Sequence, residues 1–183
     1  LGAYVGGDIV AGVLASGMDR DKRVRLFIDV GTNCEIVLSD GNKIITTAAP
    51  AGAAFEAASI KCGMRAADGA IEVVKIKKDG VTLQVIGEVE PQGMCGSGLV
   101  DAVAELAKIG VLDQSGRFIS KQELEKNFPK LSDRLIDLES TEKAFILHGD
   151  KNDPLVYLTQ RDVRELQFAK ASIATGWRLL MEQ

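Results

Sequence analysis

The sequence predicts a mixed α/β fold, in which helices pack against an antiparallel three-strand meander. Three short apolar runs, at about 25–30, 33–39 and 43–48, are separated by polar turns and indicate neighbouring strands. Two later segments, 97–109 and 163–180, carry apolar residues at helical spacing. The chain has 183 residues, the size of one ordinary domain, and is long enough to bury a substantial core.

The first third of the chain predicts one helix and two turns. Asp8 is placed to cap a short helix over 9–17, which Gly17 ends. The tetrapeptide SDGN at 39–42 is a simple Asp-Gly hairpin turn between the second and third strands. The turn between the first and second strands, DVGTN at 29–33, carries more polar groups than chain reversal requires.

The middle of the chain predicts a loop, a hairpin and a helix. The segment 50–64 begins with a Pro-Gly loop and continues as a helix of small residues. Two strands, at 69–76 and 81–88, flank the turn KKDG. The glycine-rich stretch 91–98 then opens the helix at 97–109, and Gly110 ends that helix.

The last third predicts a charged segment, a second hairpin and a long helix. We interpret 112–143 as an insertion, with a capping box, SKQE at 120–123, that starts a short surface helix. Strands at 144–149 and 155–158 flank a polar turn, and Thr159 caps the final helix. We expect 1–183 to be a single subdomain, and a fragment of a longer polypeptide because it starts at Leu1 inside sequence typical of folded structure.

Composition and charge exclude several classes of function. The chain is 46% hydrophobic and 26% charged, with a net charge of −4, so no basic face for nucleic acid is expected. No apolar run has transmembrane length, which argues against a membrane role. Three cysteines without CxxC spacing predict semi-buried free thiols in a reducing compartment, and hence a cytoplasmic protein.

The DVGTN turn has the chemistry of a phosphate loop. Gly31 allows backbone N–H groups to approach a phosphate, and Thr32 and Asn33 add short polar side chains. Asp29 is a carboxylate at the end of a strand, suited to hold a hydrated magnesium ion. The alternative is a decorated hairpin, in which Asp29 bonds the turn backbone and Gly31 supplies a positive φ. Both interpretations fit these residues by themselves.

Two further segments are candidate contacts for an anion or a metal. Gly96 and Ser97 lie where a glycine-rich loop enters a helix, a position that binds anions or is simply capped by the serine. Gly52 shapes the PAGAAFE loop. Glu56 in that loop is placed to face the metal, to order the attacking water, or only to favour the helix dipole. His148, the single histidine, has no neighbours in sequence that suggest a metal site or a triad.

The order of these motifs resembles a known superfamily. FIDVGTNCEIVL is similar to the second phosphate hairpin of the actin-like ATPase (ASKHA) superfamily, which implies half of an actin-like, ribonuclease H-like fold. Five blocks resemble one branch of it, the C-terminal domain of the ATP-dependent reductive activators of corrinoid proteins. They are GGDIVAGVLASGM, FIDVGTNCEIVL, AAPAGAAFEAASIKCGMRAADGAIE, GMCGSGLVDAVAEL and LTQRDVRELQFAKASI. Ala53 stands where that family commonly has proline.

The resemblance implies an activity and a set of cofactors. Members hydrolyse ATP with magnesium and return the cob(II) form of a corrinoid protein to cob(I). Asp29 and Glu56 would then be catalytic, with Asp29 holding magnesium through water. Gly31, Thr32, Asn33, Gly52, Gly96 and Ser97 would bind the nucleotide. The partner would be a corrinoid iron–sulfur protein or a corrinoid methyltransferase subunit. An iron–sulfur cluster is expected only in an N-terminal ferredoxin-like domain, which this chain lacks together with the first ATPase half and the adenosine motif.

Two other functions are consistent with the same residues. A small-molecule kinase of this superfamily would share the phosphate hairpin and would need a substrate pocket with a general base. A docking module without activity of its own is the expectation for an isolated fragment, and its small-residue helices and open sheet edges favour partner binding or a homodimer.

Overall fold

The computed structural model describes residues 5–55, 58–138 and 142–183. The described chain forms two compact units: one contains the residues up to Gly52 and those from Phe168 onward, and the other contains Ala53–Gln167. The described residues form helices and three three-stranded sheets, so the predicted mixed α/β class is confirmed.

The first unit is built on the predicted meander. Its strands are β1 (Arg25–Asp29), β2 (Cys34–Ser39) and β3 (Ile44–Ala49), preceded by helix α1 (Gly7–Ala15). Both strand pairs are antiparallel, in the order β1-β2-β3. The observed bounds lie within a residue of the predicted ones, so the meander is confirmed.

Strand β2 is buried on both of its faces. Ile36 points to one face, in a cluster with Ala49 and Leu180. Val37 points to the other face, in a cluster with Ile9 and Met18. Because successive side chains of a strand alternate between faces, this central strand supplies apolar groups to two layers.

Helix α1 begins one residue before the position that was predicted as its cap. Gly6 is the N-cap and makes no side-chain hydrogen bond, and Asp8 lies inside the first turn. The Asp8 carboxylate accepts a hydrogen bond from the Ile9 N–H at 2.8 Å, so the capping prediction for Asp8 is wrong. Gly17 ends the helix region as predicted, with φ +65° and its N–H donating to the Leu14 carbonyl.

The SDGN turn has the simple geometry that its sequence predicts. The Asp40 N–H donates to the Lys43 carbonyl at 3.2 Å, and Gly41 has φ +89°. The Asp40 carboxylate accepts hydrogen bonds from the Lys43 and Asn42 N–H groups. These bonds stabilise the ionised form and hold the pKa of Asp40 below its usual value.

The second unit contains two further sheets. In one sheet β4 (Ala70–Lys77) lies in the centre, antiparallel to β5 (Gly80–Val85) and parallel to the short β6 (Gly93–Met94). The predicted hairpin around KKDG is confirmed. A short 3₁₀ turn, Ile86–Glu88, replaces the predicted end of the second strand.

The other sheet has the order β7-β8-β9 and is antiparallel throughout. Its strands are β7 (Leu135–Asp137), β8 (Lys143–Gly149) and β9 (Pro154–Thr159), so the predicted second hairpin is confirmed. Strand β7 lies within the segment 112–143, whose described part also buries Leu124 and Leu131.

Three α-helices follow β6 in the part of the chain that the structure describes. Helix α2 (Gly96–Ile109) ends at Gly110, which has the predicted left-handed backbone. Helix α3 (Lys121–Asn127) begins with the predicted capping box between Ser120 and Glu123. Helix α4 (Gln160–Met181) is the long final helix. None of the helices in the described ranges is both long and apolar enough to cross a membrane.

The helix predicted within 50–64 is wrong for the residues that the structure describes there. Residues 53–55 and 58–62 form turns. Several backbone groups of this segment bond to distant segments: the Met64 N–H donates to the Met94 carbonyl, and the Cys62 carbonyl accepts from the Met94 N–H. These non-local bonds override the helix preference of the small residues, because each amide has only one hydrogen to donate.

The start of α4 is held by a reciprocal cap. The Asp162 N–H donates to Thr159 Oγ1 at 3.1 Å, and the Thr159 N–H donates to Asp162 Oδ2 at 2.8 Å. Thr159 is thus the predicted cap. The Asp162 carboxylate also accepts from the Lys61 N–H at 2.9 Å, and only 1% of the residue is exposed. One carboxylate therefore satisfies the backbone of two segments about a hundred residues apart.

Replacing Asp162 with alanine is expected to destabilise the protein by about 3 kcal/mol, because the N–H groups of Thr159 and Lys61 lose their acceptor. Asp162→Asn keeps one acceptor oxygen in place and should cost clearly less. Urea unfolding followed by circular dichroism measures both. Equal stability of the alanine variant and the parent would show that the Lys61 and Thr159 amides are satisfied in another way.

Candidate functional site

The tip of the β1–β2 hairpin is the centre of the predicted site. Strand β1 ends at Asp29 and β2 begins at Cys34, so the residues from Val30 to Asn33 form the connection. Thr32 and Asn33 are exposed at this tip, and half of the Val30 side chain is accessible. The polar groups that the sequence analysis selected therefore lie together at one end of the sheet.

Asp29 faces a second carboxylate that the sequence analysis missed. The strand register places Asp29 directly opposite Glu35, and both side chains are half-buried on the same face of the sheet. No hydrogen bond or ion pair to either carboxylate exists among the described residues. Two like charges that oppose each other across strands are destabilising, and a cation between them would relieve the repulsion. The donor set fits a hydrated magnesium ion.

Cys34 is a buried thiol directly after the tip. It is fully buried, and its Sγ lies 3.7 Å from the Gly31 carbonyl oxygen that accepts from it. Burial raises the pKa of this thiol, and the charges of Glu35 and Asp29 raise it further. The thiol is therefore protonated at neutral pH and is no candidate nucleophile. All three cysteines are free, as predicted.

The PAGAAFE loop contacts the hairpin tip through one backbone hydrogen bond. The Gly52 N–H donates to the Thr32 carbonyl oxygen at 2.9 Å. Gly52 has φ +74°, and the preceding Ala51 is almost fully buried. Two residues that the sequence analysis selected independently, Thr32 and Gly52, are thus brought into contact. Glu56, the second predicted catalytic residue, lies outside the described residues.

The other predicted anion site lies at the start of α2. Cys95 is the N-cap and makes no side-chain capping bond, so the alternative that Ser97 caps this helix is wrong. Ser97 is exposed within the first turn, with Oγ 3.3 Å from Cys95 Sγ. An extended backbone at Cys95 (ψ 178°) starts the helix one residue earlier than predicted. The first-turn N–H groups of a helix have no partner within the helix, and this first turn has no acidic side chain.

Gly96 is required by a close approach of the chain. A Cβ at this position would lie 2.1 Å from the Phe55 carbonyl oxygen. Beside it, an open pocket of about 490 Å³ is lined by residues that include Phe55, Met64 and the exposed Arg65. Gly96 and Ser97 belong to the second compact unit, and the hairpin tip and Gly52 belong to the first. The structure therefore describes the contacts of Gly96 and Ser97 within the second unit, and those of the hairpin tip with Gly52 within the first.

His148 has a local partner and no metal-binding neighbours. Its Nε2 lies 3.3 Å from Glu90 Oε2. Within 5–55, 58–138 and 142–183, no group of three or more His, Cys, Asp or Glu side chains is arranged to hold a metal ion.

Comparison with solved structures defines the class of protein. The chain is similar to a solved "Reductive activator for corrinoid, iron-sulfur protein", with a TM-score of 0.84 and 38% identity over 98% of this chain and 28% of that one. The family model described as "C-terminal domain of RACo the ASKHA domain" matches residues 23–183. The fold is therefore that of the ASKHA class.

The chain belongs to the family of the C-terminal ASKHA domain of RACo. It is 40% identical over its full length to "Corrinoid activation enzyme RamQ" of Eubacterium limosum. It is 31% identical over 97% of its length to "[Co(II) methylated amine-specific corrinoid protein] reductase" of Methanosarcina barkeri. The resemblance drawn from the five sequence blocks is confirmed.

The chain spans about a third of the length of these relatives. It covers 30% of the Eubacterium limosum protein and 32% of the Methanosarcina barkeri protein.

Proposed function

We propose that this chain is the phosphate-binding part of an ATP-dependent reductive activator, which returns the cob(II) form of a corrinoid protein to cob(I). The observation that carries the proposal is the β1–β2 hairpin. It presents the carboxylate of Asp29, which has no hydrogen bond or ion pair among the described residues, and a polar Gly-Thr-Asn tip in a domain of this family. The names of the relatives describe corrinoid activation and corrinoid protein reduction, which supports the direction of the reaction.

The residues of the chain have distinct tasks in this proposal. Asp29 holds magnesium through water, and Gly31, Thr32 and Asn33 surround the phosphates. Gly52 supports the tip through its bond to Thr32, Gly96 and Ser97 of the second unit are further proposed contacts to the nucleotide, and Glu56 orders the attacking water. Phosphoryl transfer asks a protein chiefly to position groups and to stabilise charge, and these residue types are suited to both tasks. Bound Mg–ATP supplies the free energy of hydrolysis to ADP and phosphate.

The electron has to come from a separate donor. One electron is taken from a low-potential reductant and reduces Co(II) of the corrinoid to Co(I), while one ATP and one water give ADP and phosphate. The three free cysteines of this chain are one thiolate short of the four that hold a common cluster. We therefore assign the iron–sulfur cluster to an N-terminal ferredoxin-like domain in the longer protein, located in the cytoplasm.

The partner in this proposal is a corrinoid protein. The related solved structure is named for a corrinoid iron–sulfur protein, and the Methanosarcina barkeri relative for a methylated amine-specific corrinoid protein. We propose the same class of partner here, either a corrinoid iron–sulfur protein or a corrinoid subunit of a methyltransferase.

The proposal predicts that reduction of the corrinoid requires ATP hydrolysis. The full-length protein that contains this domain is mixed with a cob(II) corrinoid protein and a low-potential reductant, and cob(I) is followed by its absorbance. Reduction is expected with Mg–ATP and not with Mg–ADP or a non-hydrolysable ATP analogue. An equal yield of cob(I) without nucleotide contradicts the proposal, and phosphoryl transfer to acetate or a sugar would instead indicate a kinase.

A further inference from the structure

The PAGAAFE loop reaches the hairpin tip at a single backbone position. The last residue pair between β2 and β3 is Cys34 with Ala49. The next residue along the loop, Pro50, has no N–H, so the ladder of hydrogen bonds cannot continue past Ala49. Ala51 is almost fully buried and fixes the path of the loop. Gly52 then supplies the N–H that bonds to Thr32.

Gly52 is required by its backbone conformation and not by a lack of space. Its φ is +74°, in the left-handed region that favours glycine, while a Cβ at this position would have no neighbour within 4 Å. The Gly52 N–H lies in the peptide plane that joins Ala51 to Gly52, and φ at Gly52 sets the angle between this plane and the chain that follows. A residue that adopts negative φ here requires this plane or the following chain to turn, and turning the plane breaks the bond to Thr32.

The bond to Thr32 determines how the tip presents its own amides. The Gly52 N–H donates its hydrogen bond to the Thr32 carbonyl oxygen at 2.9 Å, so it is not available to bind a phosphate. In a trans peptide unit the C=O and the following N–H point in opposite directions. Because the Thr32 carbonyl is held toward the loop, the Asn33 N–H points away from the loop. Outward backbone N–H groups of this kind are what bind phosphate oxygens.

We infer that Gly52 is a positioning residue, which orients the Thr32–Asn33 peptide so that the Asn33 N–H faces the nucleotide. This inference rests on the proposed function of the hairpin as a phosphate loop. Gly52 acts on the nucleotide through Thr32, with no contact of its own N–H to phosphate. The role of Gly52 is therefore tested with substitutions that change its backbone conformation.

Gly17 offers a matched control for Gly52. It lies in the same compact unit, has φ +65° and would also place a Cβ where nothing lies within 4 Å. An alanine at either position suffers the same strain of a left-handed backbone, and similar losses of thermal stability are expected. Only Gly52 donates to the hairpin tip, so only its replacement should change nucleotide binding.

The experiment compares alanine and asparagine at both positions in the full-length protein, with ATP turnover and thermal unfolding as readouts. Gly52→Ala is expected to raise the KM for ATP about fivefold or more, the range set by the cost of a left-handed alanine. Gly52→Asn should remain within about twofold of the parent, because asparagine tolerates this conformation. Both Gly17 variants should keep the parental KM.

The outcomes separate this inference from the proposed function. An unchanged KM in Gly52→Ala, or a KM in Gly52→Asn as high as that of Gly52→Ala, overturns the positioning role. If Gly52→Ala does not fold, the asparagine variant decides, and a KM raised fivefold in a folded Gly52→Asn overturns the inference. Failure of the proposed function is seen elsewhere: Asp29→Ala would then turn over ATP at the parental rate.

Discussion

Replacing Asp29 with alanine in the full-length protein is expected to lower ATP-dependent reduction of the corrinoid by about a hundredfold or more. The estimate follows from the loss of one preorganised charged group in a phosphoryl-transfer site. Asp29 lies at the end of β1, half-buried and opposite Glu35, in the position that the proposed function gives to the magnesium ligand. The measurement is the initial rate of cob(I) formation at saturating Mg–ATP.

Stability distinguishes this loss of function from loss of fold. Removal of Asp29 relieves its repulsion with Glu35, so Asp29→Ala should unfold at the same temperature as the parent or slightly higher. Asp29→Asn preserves the shape without the charge, and it should require more magnesium for half-maximal rate.

Asp40 is the matched control for Asp29. It is an exposed aspartate of the same meander, in the SDGN turn, and its carboxylate bonds only to backbone N–H groups of that turn. Asp40→Ala should lose stability and keep the parental rate of activation. If Asp29→Ala activates the corrinoid as fast as Asp40→Ala does, the assignment of the hairpin as the magnesium site is wrong.

Replacing Gly98 with alanine is expected to destabilise the second unit by about 2–3 kcal/mol, the cost of overpacking a filled site. In a helix interior, alanine is normally preferred over glycine by about 1 kcal/mol. Here the sign reverses, because a Cβ on Gly98 would lie 2.1 Å from the Ile71 carbonyl oxygen. Helix α2 packs directly on β4 at this point, and a backbone atom cannot move aside as a side chain would.

Gly7 provides the contrast for Gly98. It is an exposed first residue of α1, and a Cβ there would meet nothing within 4 Å. Gly7→Ala should therefore be neutral or stabilising by about 0.5 kcal/mol. Urea unfolding of both variants measures the difference. A Gly98→Ala protein as stable as Gly7→Ala would show that α2 does not approach β4 this closely.

The strands and turns of the meander were predictable because their signals are local. Short apolar runs and an Asp-Gly turn define β2, β3 and the reversal at Gly41 with no knowledge of the rest of the chain. The capping residues Ser120 and Thr159 were predictable for the same reason. Each of them bonds to an amide within one turn of its own helix.

The failures come from contacts between segments that are distant in sequence. The predicted helix within 50–64 is displaced by bonds to Met94 and Asp162, which lie about 30 and 100 residues further along the chain. Nothing in the composition of this segment indicates such partners. Glu35 was missed because its importance depends on register: only the pairing of β1 with β2 places it opposite Asp29. The signal that identifies Glu35 is its place in the pairing: matching residues outward from the tip along both strands places it opposite Asp29.

The paired carboxylates of the hairpin have a consequence for which form of nucleotide the protein accepts. Asp29 and Glu35 create a local excess of negative charge beside the tip. If the tip binds phosphates as proposed, free ATP would add a third anionic group and be repelled, whereas the magnesium complex brings its own counter-charge. The hairpin would then bind the magnesium complex of ATP in preference to free ATP. Until that complex binds, the repulsion between the two carboxylates would remain.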